Sequence, residues 1–462
     1  MEFFGREQEL EEFRSAFASE RFEALLVYGR RRVGKTELIR KAVGHADDAL
    51  VISCECKHAS AGTNLRLISA KVAVALGFPA DYVFVSFDAL LEQVFLAAAD
   101  KKVIFVIDEF SFLLKEDPAT DPALSIAIDA HRHHSHLKLV LCGSYVDLMA
   151  GLVDAASPLY GRFTRIMKLQ PFDYYTASLF YPNYSPSDKL LMYAALGGIP
   201  YFNSLADADA PALQNILDLV IRKDSILEHE VSEMLLAETN KVAGFNTVIE
   251  LLGGGITRYS KIASRLAQDG QARPAYILSR LVDMGVLRKI EPINAKGNAK
   301  RTFYAFADNL IHFYYRYVFR YISERNTMTS ADFFNEFIRD DLEGVYLPLK
   351  FEEVSAEAIA RLSRLHRIKP TVYEVGTYSF DDVKSKINRR FDVVTRDRNG
   401  YVSYECKFTN TPIGRHVVEE EERQVHDLDV EFYRLGFVSK SGFCDDIDRQ
   451  RYTLLTLEEL YA

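Results

Sequence analysis

No run in this chain is apolar for long enough to span a bilayer, and the N-terminus is charged rather than signal-like. Those absences argue against a helical membrane protein. No membrane partner is expected, and the cytoplasm is the expected compartment. Cysteine is also scarce: five residues, an odd number, scattered at 54, 56, 142, 406 and 444. That pattern predicts reduced, mostly buried thiols and no disulfide frame. Cys54 and Cys56 share one face of an expected strand, where core packing explains them better than a metal site. A positive excess is missing too. With 56 Lys and Arg against 65 Asp and Glu, the net charge is −9, which argues against nucleic-acid attraction by the whole surface.

The remaining composition, 48% apolar and 26% charged, is that of a folded soluble protein. At 462 residues the chain is too long for one ordinary core, so three or more domains are expected. Charge is unevenly spread. Between Gly253 and Thr302, 10 Lys and Arg stand against three acids, Asp269, Asp283 and Glu291, which makes a local basic patch.

Residues 29–36 read Gly29-Arg30-Arg31-Arg32-Val33-Gly34-Lys35-Thr36, after an apolar run Ala24–Tyr28 and before a helical pattern that begins at Glu37. This strand, loop and helix form a phosphate-binding P-loop. Glycines let backbone N–H groups turn inward around phosphates, and the helix directs its positive end at them. Lys35 is expected to reach the β- and γ-phosphates of a nucleotide, and the Thr36 hydroxyl to bind Mg²⁺.

Apolar runs at Ala24–Tyr28, Leu50–Cys54, Val103–Ile107 and Leu137–Cys142 alternate with helical patterns such as Leu65–Leu76. Continuous apolar strands between helices predict an α/β fold with a parallel sheet covered on both faces. The third run ends in Asp108-Glu109, at the carboxyl end where such sheets place ligands. Asp108 is expected in the Mg²⁺ shell, and Glu109 is expected to orient and deprotonate the attacking water. The next strand ends Cys142-Gly143-Ser144. Ser144 is read either as a γ-phosphate or water contact or as a helix N-cap. Arg162, with Arg165 as its substitute, is read either as a transition-state arginine or as a surface ion pair. The run His131-Arg132-His133-His134-Ser135-His136 is expected to be a solvated helix end rather than a zinc site.

These motifs, together with Phe4-Gly5-Arg6-Glu7 ahead of the P-loop, resemble the archaeal-type ATPase family of the AAA-like signal-transduction ATPases. Gly197-Gly198-Ile199-Pro200-Tyr201 resembles that family's lid motif. The resemblance implies a nucleotide-operated switch with Gly5 and Arg6 near the adenine.

Residues 172–240 read as helical, with amphipathic stretches at Asp188–Leu196 and Ala210–Ile226, and are expected to form the lid. Phe245–Leu252, Tyr259–Leu266 and Pro274–Met284 follow as short helices, broken at Gly253-Gly254-Gly255 and Asp269-Gly270. Strands at Val286–Ile293 and Thr302–Phe306 flank a Gly297-Asn298 turn. Three helices and a hairpin make the winged-helix pattern. If Ile277, Leu278 and Leu281 face the core, then Arg273, Tyr276, Ser279 and Arg280 face outward toward duplex DNA. Lys296, Lys300 and Arg301 on the wing suit phosphate contacts. The alternative is a winged helix used only for packing. The aromatic segment Asn309–Ile322 is read as buried, with base stacking the rival.

Near the C-terminus, Arg390–Thr395 and Tyr401–Phe408 alternate at period two around Asn399-Gly400, a hairpin signal. Glu405 and Lys407 then share a face that Asp392 can meet across the pair. The acids offer oxygen ligands for Mg²⁺, and Lys407 can steady the water that attacks a phosphodiester. This constellation resembles the PD-(D/E)xK superfamily with its restriction-endonuclease fold. A further acid from an upstream helix is implied, with Glu352 preferred, Glu353 its rival, and Gln424 a weaker candidate. The alternative is a cross-strand salt bridge on an exposed face.

The expected organisation is therefore an ATPase core (1–171), a helical lid (172–240), a winged helix (241–306), a helical connector (307–345) and a restriction-endonuclease-like domain (346–462). The expected function is ATP hydrolysis with Mg²⁺ controlling a DNA-acting, metal-dependent nuclease. The alternative is an ATP-switched DNA-binding regulator that does not cut. A homo-oligomer is the further expectation where an arginine acts in trans.

Overall fold

Five apolar runs form one parallel sheet: β1 (Glu23–Tyr28), β2 (Leu50–Glu55), β3 (Val103–Asp108), β4 (Leu137–Gly143) and β5 (Arg165–Lys168), in the order β2-β3-β4-β1-β5. The computed structural model describes residues 3–46, 48–239, 244–268, 273–382, 387–428 and 430–462. They separate into two compact units, divided after Pro171.

In the first unit, β3 and β4 are buried along their whole length. Alternate residues enter opposite layers. Leu26, Phe105, Ile107 and Leu139 pack with helices Ala61–Leu76 and Phe87–Asp100. Leu25, Val27, Ile104, Val106 and Val140 pack with α1 (Glu7–Ala18) and α2 (Lys35–Val43). A strand apolar at every position therefore has two cores to fill. The edge strand β5 is the one that sequence patterning misses, because its four residues alternate Arg165, Ile166, Met167, Lys168 around a single buried methionine. Cys54 and Cys56 are buried in the apolar layer, where burial pushes each thiol up to about 12.

The second unit begins with helices that include α3 (Pro186–Leu196). The stretch expected as one helix at Ala210–Ile226 instead runs as an α-helix, Ala212–Ile216, then a π-turn, Leu217–Ile221. Helices α4 (Phe245–Gly253), α5 (Tyr259–Gln268) and α6 (Pro274–Asp283) precede an antiparallel pair, β6 (Leu287–Ile290) and β7 (Phe303–Phe306). Ile277, Leu278 and Leu281 are buried, as their spacing predicts. The break expected at Asp269-Gly270 and the boundary expected at 240–241 lie outside the described residues. Phe313, Tyr314, Tyr315 and Tyr317 lie inside the main core of this unit, so they present no stacking platform.

The C-terminal sheet is mixed, in the order β12-β11-β10-β9-β8: β8 (Glu374–Asp382), β9 (Ile387–Asp397), β10 (Gly400–Lys407), β11 (Phe432–Ser439) and β12 (Thr453–Thr456). The hairpin signal holds with a shift of one residue. Arg398 and Asn399 make the turn, Gly400 already pairs with Asp397, and the Asn399 N–H donates to Asp397 Oδ1 at 2.7 Å. Helix α7 (Leu347–Arg364) packs on this sheet through Phe351, Val354 and Ala358.

The loop after β6 is bound to β8. The Ile293 N–H donates to the Thr377 carbonyl at 2.8 Å, and the Asn294 amide exchanges bonds with the Ser379 backbone at 2.8 and 3.0 Å. A Cβ on Gly376 would stand 2.7 Å from Ile293 Cγ2, so any larger residue would force Ile293 to shift. A buried charge cluster also fixes α7 against β6. Lys350, 1% exposed, donates to Asn309 Oδ1 at 2.8 Å and to Glu353 at 3.1 Å, and Arg288 reaches Glu353 at 3.1 Å. Burial alone would push the Glu353 carboxyl up, but Lys350 and Arg288 outweigh it and hold it below its ordinary range.

Glu353→Leu should therefore cost about 3–5 kcal/mol in a denaturant titration, because it strands a buried ammonium. A loss under about 1 kcal/mol would contradict this role.

Candidate functional site

The loop between β1 and α2 closes around its own lysine. Gly34 has φ +91°, a left-handed turn suited to glycine, and starts α2. Lys35 is 5% exposed, and its Nζ donates to the Gly29 and Arg30 carbonyls at 2.9 Å each. Burial pulls this ammonium below its ordinary range. A buried cation at a helix N-terminus, ringed by loop backbone, is a strong anion site.

The sheet order sets the other side. Because β4 lies between β1 and β3, its last residues stand between the P-loop and the acids of β3. Thr36 Oγ1 donates to Asp108 Oδ2 at 2.7 Å, joining residues 72 positions apart. Asp108 Oδ1 accepts from the Glu109 N–H at 2.8 Å, and the Cys142 thiol hydrogen-bonds the same carboxylate. Burial, with Asp108 adding, drives that thiol well above its ordinary range, so it is a neutral donor. Glu109 has φ +49°, a left-handed conformation that costs a non-glycine residue energy. Its carboxylate is held by the Ser144 hydroxyl at 2.6 Å and the Ser144 N–H at 3.3 Å. Ser144 thus positions Glu109 and caps no helix; neither role read for it from the sequence describes this bond.

Other residues singled out near the loop have clear partners. Arg6 donates to the Gln170 carbonyl at 2.6 Å and the Val33 carbonyl at 3.3 Å, with Glu9 at 3.0 Å, so the Gly5-Arg6 turn braces the P-loop from outside. Glu37 pairs with Arg40 at 2.7 Å. Arg31 and Arg32 are exposed, and Arg30 is half-buried. Arg162 grips Asp129 at 2.5 and 3.2 Å, and Arg165 pairs with Glu12 at 2.8 Å. In this arrangement both arginines form the ion pairs that were the alternative reading.

The second constellation lies in the second unit, on β9, β10 and α7. The register pairs Tyr404 with Val393, which sets Glu405 next to Asp392 along the ladder. Lys407 Nζ meets Glu405 Oε1 at 2.5 Å, and burial, which would lower its pKa, is outweighed by this bond. Arg390 Nε meets Asp392 Oδ1 at 2.7 Å. Helix α7 resolves the choice between its adjacent acids. Glu353 is consumed by Lys350 and Arg288, whereas Glu352 faces the other carboxylates. Burial, then Asp392 and Glu405, push Glu352 up to about 7. Glu421, on helix α8 (Arg415–Asp427), is the member that sequence reasoning missed. Burial and Glu405 push it to about 7 as well, whereas Gln424 is exposed. The signal was one helical turn away, in the run Glu419–Glu422.

Hard oxygen donors of this kind are those that Mg²⁺ takes. Among the described residues, however, no group of three or more His, Cys, Asp or Glu side chains is arranged to hold a metal ion. At the second constellation Arg390 and Lys407 hold two of the acids. The histidine run does not converge either. His131 bonds Glu92 at 2.8 Å, and His136 bonds the Glu20 carbonyl at 2.6 Å.

Arg273, just ahead of α6, and Tyr276 on it are exposed, and Arg280 is half-buried. Two of the wing cations pair with acids of β8: Lys296 with Glu374 at 2.5 Å and Arg301 with Asp381 at 2.6 Å.

Residues 3–202 match the family model of an ATPase domain predominantly from Archaea. Residues 314–425 match a model of archaeal and bacterial proteins of unknown function. An uncharacterized protein of Methanocaldococcus jannaschii is 27% identical over 377 residues, 81% of each chain. Among solved structures, a Walker-type ATPase of Pyrococcus abyssi superposes with TM-score 0.51 at 18% identity, over 68% of this chain and 96% of that one. That likeness is one of fold. The ORC2 protein of Aeropyrum pernix, in complexes with ADPNP and ADP, gives TM-score 0.42 at 14% identity, over 71% and 96%. The chain is thus similar to P-loop ATPases in sequence and in fold, which supports ATP hydrolysis. No helix among the described residues is long and apolar enough to cross a membrane.

The raised carboxyl of Glu352 makes a signed prediction. A folded-state value of about 7 against an ordinary 4.5 stabilises the fold fully below pH 4.5, and that stabilisation is lost as pH rises through 7. Glu352→Gln should match wild type at pH 4 and exceed it by about 1–3 kcal/mol at pH 8 in chemical denaturation. Equal stability at both pH values would refute the buried-acid arrangement.

Proposed function

We propose that this protein binds and hydrolyses ATP, and that nucleotide state governs a DNA-associated second unit with a metal-dependent nuclease site. The observation that carries the first part is the 2.7 Å bond between Thr36 and Asp108, beside a lysine buried against its own loop. In this reading the phosphates of ATP draw the Lys35 ammonium from the Gly29 and Arg30 carbonyls, and the loop N–H groups take up the remaining phosphate oxygens. The side chains of Thr36 and Asp108 would hold Mg²⁺, which neutralises phosphate charge when bound. Glu109 accepts a proton from the attacking water on a carboxylate oxygen. Ser144 keeps that carboxylate aimed, and its hydrogen bond is redistributed as the water approaches. Arg162 serves the transition state only after leaving Asp129, in its own chain or across a homo-oligomer.

In the second unit, Glu352, Asp392 and Glu405 would hold a divalent cation that activates water toward a phosphodiester. Lys407 would steady that water, and Glu421 would tune Glu405. The three helices and hairpin of 245–306 would act as a winged helix. Arg273, Tyr276 and Arg280 would meet the DNA groove, with Lys296 and Arg301 on phosphates. Their present ion pairs are partly exposed and weak enough to exchange. A second reading is favoured by the pairing of Arg390 with Asp392 and of Lys407 with Glu405. Here the unit binds DNA under ATP control and does not cut.

Steady-state assays separate the roles. Lys35→Ala should abolish ATP hydrolysis through lost binding. Glu109→Gln should bind ATP and lose about 10²–10⁴-fold in turnover. Ser144→Ala should show a smaller loss with ATP affinity retained. An unchanged rate in Lys35→Ala or Glu109→Gln overturns the assignment. For the second unit, plasmid incubated with Mn²⁺ and ATP should be nicked by wild type and not by Lys407→Ala. Intact plasmid with wild type leaves the non-cutting reading.

A further inference from the structure

Three helices of the first unit begin around one cavity of about 270 Å³: Ala61–Leu76, Phe87–Asp100 and Thr120–His131. The helix Phe110–Glu116 closes the remaining wall through Leu113, with Asp117 just beyond its end. Leu65, Phe87 and Leu113 give the cavity an apolar side, and Asp88 and Asp117 bring two carboxylates. No Lys, Arg or His is among the described residues that line it.

The helix starts are served from inside the chain. Ser60 Oγ accepts from the Thr63 N–H at 3.3 Å, and Ser86 Oγ from the Ala89 N–H at 3.2 Å. Ahead of the third helix, Asp117 Oδ1 accepts from the Ala119 N–H at 3.1 Å. Asp117 Oδ2 and both oxygens of Asp88 have no hydrogen-bond or ion-pair partner among the described residues. An acid in the first turn of a helix complements its dipole, which accounts for Asp88, and the turn accounts for one oxygen of Asp117. Neither accounts for Thr120. Its side chain lines the cavity, it is 1% exposed, and its hydroxyl oxygen has no hydrogen-bond partner. A hydroxyl buried in that state lowers stability until a donor or acceptor reaches it.

These features select a ligand chemistry. An anion would be repelled by the two carboxylates. A neutral apolar molecule would take water from both of them and leave the hydroxyl unpaired. A bare metal ion would need more oxygen ligands than two acids supply, and no group of three His, Cys, Asp or Glu side chains among the described residues can hold one. A cation on a carbon stem satisfies every wall, because its N–H groups donate to the oxygens while the stem lies on apolar side chains.

We propose that this cavity binds an alkylguanidinium or alkylammonium group, with its N–H donors on Asp88, Asp117 and the Thr120 hydroxyl and its stem against Leu65, Phe87 and Leu113. The group arrives either as a free organic cation or as the arginine or lysine side chain of a partner protein. Binding here needs neither nucleotide nor the second unit, so the proposal is independent of the ATP reading.

The test titrates the full chain, without nucleotide, by isothermal calorimetry with two probes. One is n-butylguanidinium; the other is a blocked tripeptide of arginine between two leucines. Saturable uptake of at least one probe is expected, with n-butanol as the neutral control that does not bind. Tighter binding of the tripeptide assigns the site to a partner's side chain, and n-butylguanidinium binding as tightly or more so assigns it to a free cation. The double variant Asp88→Asn/Asp117→Asn keeps the oxygen that accepts from Ala119 and should weaken binding by about tenfold or more. Thr120→Val removes only the hydroxyl and should lose affinity without a lower unfolding temperature, whereas a hydroxyl that served the fold would lower that temperature and leave affinity unchanged. No saturable uptake of either probe at millimolar concentration, or wild-type affinity in the folded double variant, overturns the proposal.

Discussion

Lys35 is an ammonium with almost no water around it, and the order of the first unit follows from the need to compensate it. Two loop carbonyls hold Nζ at 2.9 Å, and the carboxylates of β3 supply the opposing charge. Such a cation is stable only where the backbone is bent toward it and acids stand near. The sheet order provides both. The loop leaves β1, the acids end β3, and β4 between them delivers Cys142 to Asp108 and Ser144 to Glu109. A nucleoside triphosphate is the ligand we propose to replace those internal bonds.

The second unit obeys the same rule with different partners. Among its buried acids, some close on opposite charge and some are raised toward neutrality. Glu353 takes the first course with Lys350 and Arg288, and Glu352 and Glu421 take the second. Two adjacent glutamates on one helix thus serve unlike purposes, because a step of 100° around the helix aims one at cations and the other at carboxylates. The first fixes α7 against β6; the second stands among like charges, pushed up by burial, Asp392 and Glu405.

Much of the first unit was legible in the chain. Runs such as Val103–Ile107, apolar at every position, can only be strands covered on both faces, and the residues from Gly29 to Thr36 have few uses other than holding phosphate. Ser144 was legible as a residue of interest, but its bond to Glu109 was not, since that bond depends on which strand lies between β1 and β3. Arg162 was ambiguous for the same reason: Asp129 lies 33 positions away and its proximity is a property of packing. In the second unit the hairpin and the acids at 392 and 405 could be read from period two and a turn signal. Glu421 could not, because it joins them only through the placement of a separate helix. The partners of the wing were not legible. Its cations turn onto β8 because Gly376 lets Ile293 approach, a contact that no local pattern encodes.

The central claim is that the residues around Lys35, Thr36 and Asp108 form an ATP site. Isothermal titration calorimetry of folded protein with ATP and Mg²⁺ tests it most directly. One nucleotide per chain, bound with heat that Thr36→Val diminishes, is the predicted result. Folded wild-type protein that takes up no ATP would contradict the account.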